Sequence, residues 1–474
     1  MPGHKAAFSF RFMFLSLLFV AVGFLCPQPP AFAAARVGND TVRVGIAQQM
    51  PEVKLTFQGC YRLVDALSGG VIAETSPGET WTAANTGGLV MLKRNNEHQG
   101  LYQGSIIAEE VKSEQSILSG DGTIQKKNSL SGLAVLSAGT GLNYLGDSGD
   151  LRALDGSGRV TPMSRGGLNL FSLEKYGQAS RYRGSVEIRS IGAGLTVVNE
   201  LPVEQYLYGV VPAEMPVSFP LEALKAQAVT ARTYVIAQLG SYGSQGFDVL
   251  DNQQNQVYRG YDGEHAQAAR AVDETAGKVL IYGGRPIAAF FHSSSGGCTE
   301  NSEDVWSESL GYIRARVDPA DYNTKYHNWT VAYSTEQLTR VVNEKLKGLS
   351  NPVPYPEFAL ITDLNEMQLT SSGQRVKRIL IEGFDAAGNP VRADISNADR
   401  VRIALGLNSS LFSMQKDVDI SGRLCGVVII GSGLGHGLGM SQWGASGLAL
   451  QGYNYQDILQ YYYTGVDLVN NYGA

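Results

Sequence analysis

The sequence predicts a mixed α+β fold, with mixed sheets of many short strands and a few helices, one of them long. Three observations carry that class. Only 17% of residues are charged, against about 25% in a typical soluble protein, while Gly (56) and Tyr (23) are plentiful. Segments of alternating apolar residues recur between Gly-, Ser- and Asn-containing turns. Helical patterns appear among them without a regular strand–helix–strand rhythm.

Taken in order, residues 1–33 read as an export segment. Lys5 and Arg11 precede or open the apolar run FMFLSLLFVAVGFLC, and AFA at 31–33 supplies small residues for cleavage. The run is shorter than the roughly 20 residues a spanning helix needs. The expected location is therefore extracytoplasmic, with membrane association if the segment is retained. Without residues 1–33 the formal charge goes from −6 to −8 and no basic cluster remains. Nucleic acid, whose binding depends on Lys and Arg against phosphate, is excluded as a partner class. Cys60, Cys298 and Cys425 remain, an odd number without CxxC spacing, so one thiol at least is free, buried or metal-bound.

Residues 34–180 read as a β-rich region. TVRVGIA (41–47) alternates, YRLVDALSGGVIA (61–73) reads as two strands about a turn, and 110–175 is a Gly/Ser/Asp-rich stretch of short strands or loops. RGSVEIRSIGAGLTVVNELP (183–202) is a hairpin signal. A helix follows, with Ser218 as a cap candidate, Pro220 in its first turn and an apolar stripe through Leu221, Leu224, Ala228, Ala231, Val235 and Leu239. Further helices are expected at 264–277 and 335–347, a hairpin through Gly283–Gly284, a strand pair within 373–396, and a helix in YNYQDILQYYYTGV.

The chemistry concentrates in a few phrases. In GVVPAEMP (209–216), Pro212 and Pro216 bias the residues before them away from helix, so Glu214 is expected on a rigid extended turn. Apolar neighbours there would raise its pKa, which suits a proton donor. A glutamate stabilising the positive end of the next helix is the better fit to the pattern alone. Lys225 and Arg232 share a helix face with Gln227 close by, either as a solvated basic edge or as cations facing Glu214. HSSSGGC (292–298) offers His292 and Cys298 as two zinc ligands, with His436 and Cys425 as completing candidates, or else a hydrogen-bonded turn. Neither HExxH nor GxSxG occurs, and the Gly-rich 433–447 lacks a phosphate-loop signature. Glu204, Asp248 and Asp251 are candidates for a second carboxylate.

Taken together, YRGSVEIR, VVNELPVEQYLYGVVPAEMP, LEALKAQAVTARTY, QNQVYRG, AVDETAGKVL, FFHSSSGG, TENSEDVW and GHGLGMSQWGASGLALQGYNYQDILQYYYTGV resemble the SpoIID/LytB family. This is the stage II sporulation protein D and amidase-enhancer group of bacterial cell-wall proteins. The likeness covers about 180–320 and 430–466, placing the family-like region at 181–474, with 321–425 matching less clearly. It implies peptidoglycan glycan strands, stripped of stem peptides, as substrate, and lytic transglycosylase activity with Glu214 as acid. The alternative it implies is a wall-binding enhancer of an amidase. It implies substrate-binding roles for Lys225, Gln227, Arg232, Ser294, Ser295, Gly296, Ser441 and Gln442. No cofactor is required, although some members hold zinc through a His and Cys spaced as His292 and Cys298. The further cysteine expected soon after is replaced here by Asn301–Asp304.

Overall fold

The computed structural model describes residues 41–470 apart from 112–114, 119–123, 128–132, 138–140, 146–151, 155–159, 163–167, 176, 323 and 350–353. Residues 1–33, expected to be an export segment, lie outside the described residues, as does part of the Gly-rich stretch.

Two antiparallel sheets face each other through one core. One has seven strands in the order Val249–Leu250, Thr41–Met50, Gly194–Pro202, Ser185–Ile191, Ser105–Glu110, Tyr61–Asp65 and Val71–Glu74, with Val249–Leu250 running parallel to its neighbour. The other has six, in the order Gln178–Tyr182, Leu170–Lys175, Glu52–Gln58, Thr80–Thr86, Leu89–Arg94 and Glu97–Tyr102. Alternation drives this pairing: Val42, Val44 and Ile46 of one sheet and Val53, Leu55 and Phe57 of the other are buried together. Strands from either side of residue 180 share the seven-stranded sheet. Within 115–162 the described strands form three two-stranded ribbons.

The same core continues into helices α1 (Val203–Glu214), α2 (Leu221–Ala237) and α3 (Ala266–Asp273). α2 is the hub, with twelve buried residues from Ala223 to Val235. Its amino end is Pro220, with no side-chain cap, so Ser218 does not serve as one. After α4 (Ser302–Val305), α5 (Thr335–Lys347) begins at a Ser334/Gln337 capping box. α5 and α6 (Ala398–Ala404) cover a second core with the sheet Leu360–Leu369, Val376–Phe384, Pro390–Ser396 and the sheet Trp329–Ser334, Leu424–Gly431, Phe412–Val418. α7 (Gln442–Leu450) and α8 (Tyr455–Tyr462) return to the first core against α2. The fold is α+β and β-rich, as expected.

Candidate active site

Glu214 is the last residue of α1. The expected extended segment at 209–216 is corrected here, because the helix runs through Pro212. Proline in the final turn forfeits one N–H bond, and the burial of Tyr206, Leu207, Tyr208, Gly209, Val210 and Val211 outweighs that loss. Pro216 acts as its type predicts: Met215 is extended, at φ −124° and ψ 137°, and ends the helix. Gly209 lies flat against the next loop. A Cβ there would meet Gly260 O and the Tyr258 ring, each at 2.8 Å.

The Glu214 carboxyl is partly buried, and its Oε1 accepts a hydrogen bond from Val257 N–H at 2.6 Å. Among the described residues no side chain donates to it and no cation pairs with it. Burial raises its pKa above the usual glutamate range, and the Val257 N–H opposes that rise. The negative end of α1 is a further bias against the carboxylate. The carboxyl makes no cap bond to α2, whose amino end is Pro220. Tyr206 of α1 and Tyr234 of α2 stand close enough for its charge to raise their own pKa values, after burial.

Gln442 and Gln227 are brought to this carboxyl's residue. Gln442 Nε2 donates to the backbone carbonyl of Glu214 at 3.0 Å and lies 3.4 Å from Gln227 Oε1. Both side chains are buried, and Gln227 Nε2 has no protein partner.

Lys225 and Arg232 face elsewhere, a correction to the expected cationic wall. Arg232 is 1% exposed and grips Glu204 with two bonds, Nε–Oε1 at 2.7 Å and Nη2–Oε2 at 2.6 Å. Lys225 pairs with Glu222 at 2.8 Å and Glu274 at 2.7 Å. Glu222 is one helical turn from Lys225, while the fold brings Glu204 and Glu274 to the cations, so each is partnered on α1, α2 or the end of α3.

Ser294, Ser295, Gly296 and Ser441 are also placed differently from expectation. They surround two buried carboxylates that the sequence reading missed. Ser294 Oγ lies 3.0 Å from Asp321 Oδ2, Gly296 N–H donates to the same oxygen at 3.0 Å, and Ser441 Oγ lies 3.1 Å away. Ser295 Oγ sits between the pair, 2.9 Å from Asp318 and 2.8 Å from Asp321. Tyr462 donates its hydroxyl to Asp318 at 3.0 Å. Burial, then the charge of Asp321, pushes the Asp318 pKa up to about 7, so the pair shares a proton near neutrality. Hydroxyl serines in one tight phrase and a DPAD sequence at 318–321 were the available signals, separated by a loop whose path sequence does not reveal.

The residues do not complete a zinc site. His292 Nδ1–H donates to Leu438 O at 3.0 Å, and burial holds the ring neutral. Cys298 donates to Thr299 O at 3.1 Å, with its thiol pKa raised by burial. His436 Nδ1 accepts from Leu438 N–H, and Cys425 is exposed. Among the described residues no cluster of three His, Cys, Asp or Glu side chains could hold a metal. Arg375 instead ties the HSSSGGC turn, donating to Ser295 O at 2.7 Å and Cys298 O at 2.9 Å.

Each candidate second carboxylate is engaged. Glu204 holds Arg232 and Gly277 N–H, and Asp248 accepts from the N–H groups of Arg43 and Gly240. Asp251 pairs with Lys175 at 3.1 Å.

A sequence profile described as stage II sporulation protein (SpoIID) matches residues 192–282, and a domain of unknown function (DUF8618) matches 300–439. An uncharacterized protein of Brachyspira hyodysenteriae is 34% identical over 291 residues, covering 61% of this chain and 72% of that protein. Stage II sporulation protein D of Bacillus subtilis is 31% identical over 286 residues, covering 57% and 75%. The amidase enhancer of Bacillus subtilis is 32% identical over 294 residues, covering 56% of this chain and 40% of that protein.

Proposed function

Because this chain belongs to the SpoIID (stage II sporulation protein) family, we propose that it cleaves peptidoglycan glycan strands as a lytic transglycosylase, with Glu214 as its one acid–base group. The observation that carries this reading is the isolation of the Glu214 carboxyl. It is half-buried, biased toward the protonated form and held by one backbone N–H, while Glu204, Asp248 and Asp251 are each committed to other partners.

Hydrolytic glycosidases ordinarily use two carboxyl groups. A lytic transglycosylase needs one. The protonated Glu214 gives its proton to the glycosidic oxygen as the bond from that oxygen to the anomeric carbon breaks. The resulting carboxylate then takes the proton of the muramic 6-hydroxyl as its oxygen bonds to the anomeric carbon. The 1,6-anhydro ring closes, no water is consumed, and Glu214 ends protonated for the next cycle. Attack from within the same sugar has an effective molarity of order 10⁵ M or more when aligned. In this reading Gln442 fixes the acid's backbone, and the buried Gln227, accepting from Gln442, braces it in turn. Substrate strands would be those stripped of stem peptides, and the site of action extracytoplasmic.

A second reading is a wall-binding enhancer of an amidase, favoured by the similarity to the amidase enhancer. Incubation of the protein with denuded glycan strands, followed by mass spectrometry of the ends, separates the two. Anhydro-muramic ends that vanish in Glu214→Gln are expected. Intact strands, with faster stem-peptide release when an amidase is added, would instead establish the second reading.

A further inference from the structure

The acid is bonded by a backbone N–H, and a backbone donor is only as fixed as the peptide that carries it. That peptide lies in the loop after Val249–Leu250, which is closed by Tyr258 N–H to Asp251 O at 3.1 Å. Asn255 Oδ1 accepts the Leu250 N–H at 2.9 Å, and its Nδ2 lies 3.4 Å from the Tyr234 hydroxyl on α2. Gln256 is fully buried between the two helices flanking the acid. Its Oε1 accepts from Tyr206 on α1 at 3.3 Å, and its Nε2 donates to Ala231 O on α2 at 3.4 Å. Beyond the donor, Tyr258 anchors the chain by its hydroxyl to Asn199 Oδ1 at 2.9 Å. The residue that touches Glu214 is therefore held on both sides by side chains that do not touch it.

We propose that Asn255 and Gln256 are positioning residues for the acid, aiming the Val257 N–H at Glu214 Oε1 throughout the proton cycle. The inference rests on the reading of Glu214 as that acid. Its consequence follows from the cycle itself. Once Glu214 has given up its proton, the carboxylate must survive in a half-buried place until it accepts the next one. One charge-assisted N–H bond stabilises that form more than the neutral one. The other ionisable groups around the carboxyl are Tyr206 on α1, Tyr234 on α2 and, at the loop's neck, Asp251 with its partner Lys175. Burial keeps both tyrosines protonated across the working pH range, and the Asp251–Lys175 pair is internally compensated.

Loosening the loop removes more stabilisation from the carboxylate than from the neutral acid, so the pKa of Glu214 moves further up. Asn255→Ala, at a partly exposed position, and Gln256→Met, in the interior, are the variants. Two measurements are made on the full chain at a series of pH values: kcat/KM on denuded glycan strands, and the ¹³C shift of labelled glutamate carboxyls, with Glu214→Gln assigning the resonance. Both midpoints are expected to rise by about one pH unit, the equivalent of one hydrogen bond to a charged group. An unmoved or lowered carboxyl midpoint in Asn255→Ala, with an unchanged thermal melt, overturns the proposal. If the wild-type protein leaves glycan strands uncut, the transglycosylase reading fails while the carboxyl titration still decides this one.

Discussion

Glu214 can act as a general acid only while it carries its proton, and the site favours that form by burial. Cleavage should therefore fall as pH rises through a value above the normal glutamate range, which a pH profile of kcat/KM reads directly. The same bias bears on stability. A carboxyl whose pKa is raised by folding contributes fully below its unfolded value, about 4.3, and its contribution declines as pH climbs toward the folded value. Once ionised, Glu214 is a cost to the fold. Glu214→Gln keeps an acceptor for Val257 N–H and removes the charge. It is expected to melt no lower than wild type at pH 7 while cutting glycan at least about 100-fold more slowly. A large drop in melting temperature would mean that the carboxylate is itself a structural element.

Among the elements, α1 and α2 are joined by the Arg232–Glu204 pair, with Arg232 also reaching Val272 O at 3.3 Å and Lys278 O at 3.4 Å. Arg232→Met removes one partner of a largely buried pair and is expected to cost about 2–4 kcal/mol, below the full buried-pair range because Glu204 is 33% exposed. Arg232→Lys recovers only part of this, since an ammonium cannot make the forked contact. Thermal melts of both variants check the order. This pair also shows what the sequence made legible. The helices at 221–237 and 335–347 were readable because their apolar spacing is local. The phrase around Glu214 draws attention to an acid between two prolines, a local oddity, while its role as acid rests on the family resemblance. Helix α1 was not, because Pro212 argues against helix and only the tertiary burial of Tyr206 to Val211 overrules it. Arg232 and Lys225 were assigned to the wrong side, because a seven-residue spacing gives a shared face and says nothing of which carboxylates lie opposite. The Asp318–Asp321 pair was invisible for a related reason: its hydroxyl donors come from 294–295, 441 and 462.

For the molecule as a whole, that pair is where the HSSSGG turn, the start of α7 and α8 converge, and Arg375 brings in the segment with the second core. Its ionisation should appear in global stability. The folded pKa of Asp318 is raised to about 7 from 3.8, so its contribution is complete below about 4 and is lost as pH rises toward 7. Melting temperature is expected to decline over that window on its account, and Asp318→Asn should flatten the decline. An unchanged slope in Asp318→Asn would place the shared proton elsewhere. Among the described residues no cluster of three His, Cys, Asp or Glu side chains could hold a metal, so dialysis against a chelator is expected to leave both the melt and glycan cleavage unchanged. A fall in either would reveal a bound ion.

Gly209 gives the site a dimension that no charge or hydrogen bond expresses. The peptide wall of the Val257 loop rests on α1 at a spot where even a methyl group would stand 2.8 Å from Gly260 O and Tyr258. The clearance between acid and donor is thus metered by an atom that is missing. Gly209→Ala would act as a shim, wedging the two apart from five residues upstream of the carboxyl without touching it.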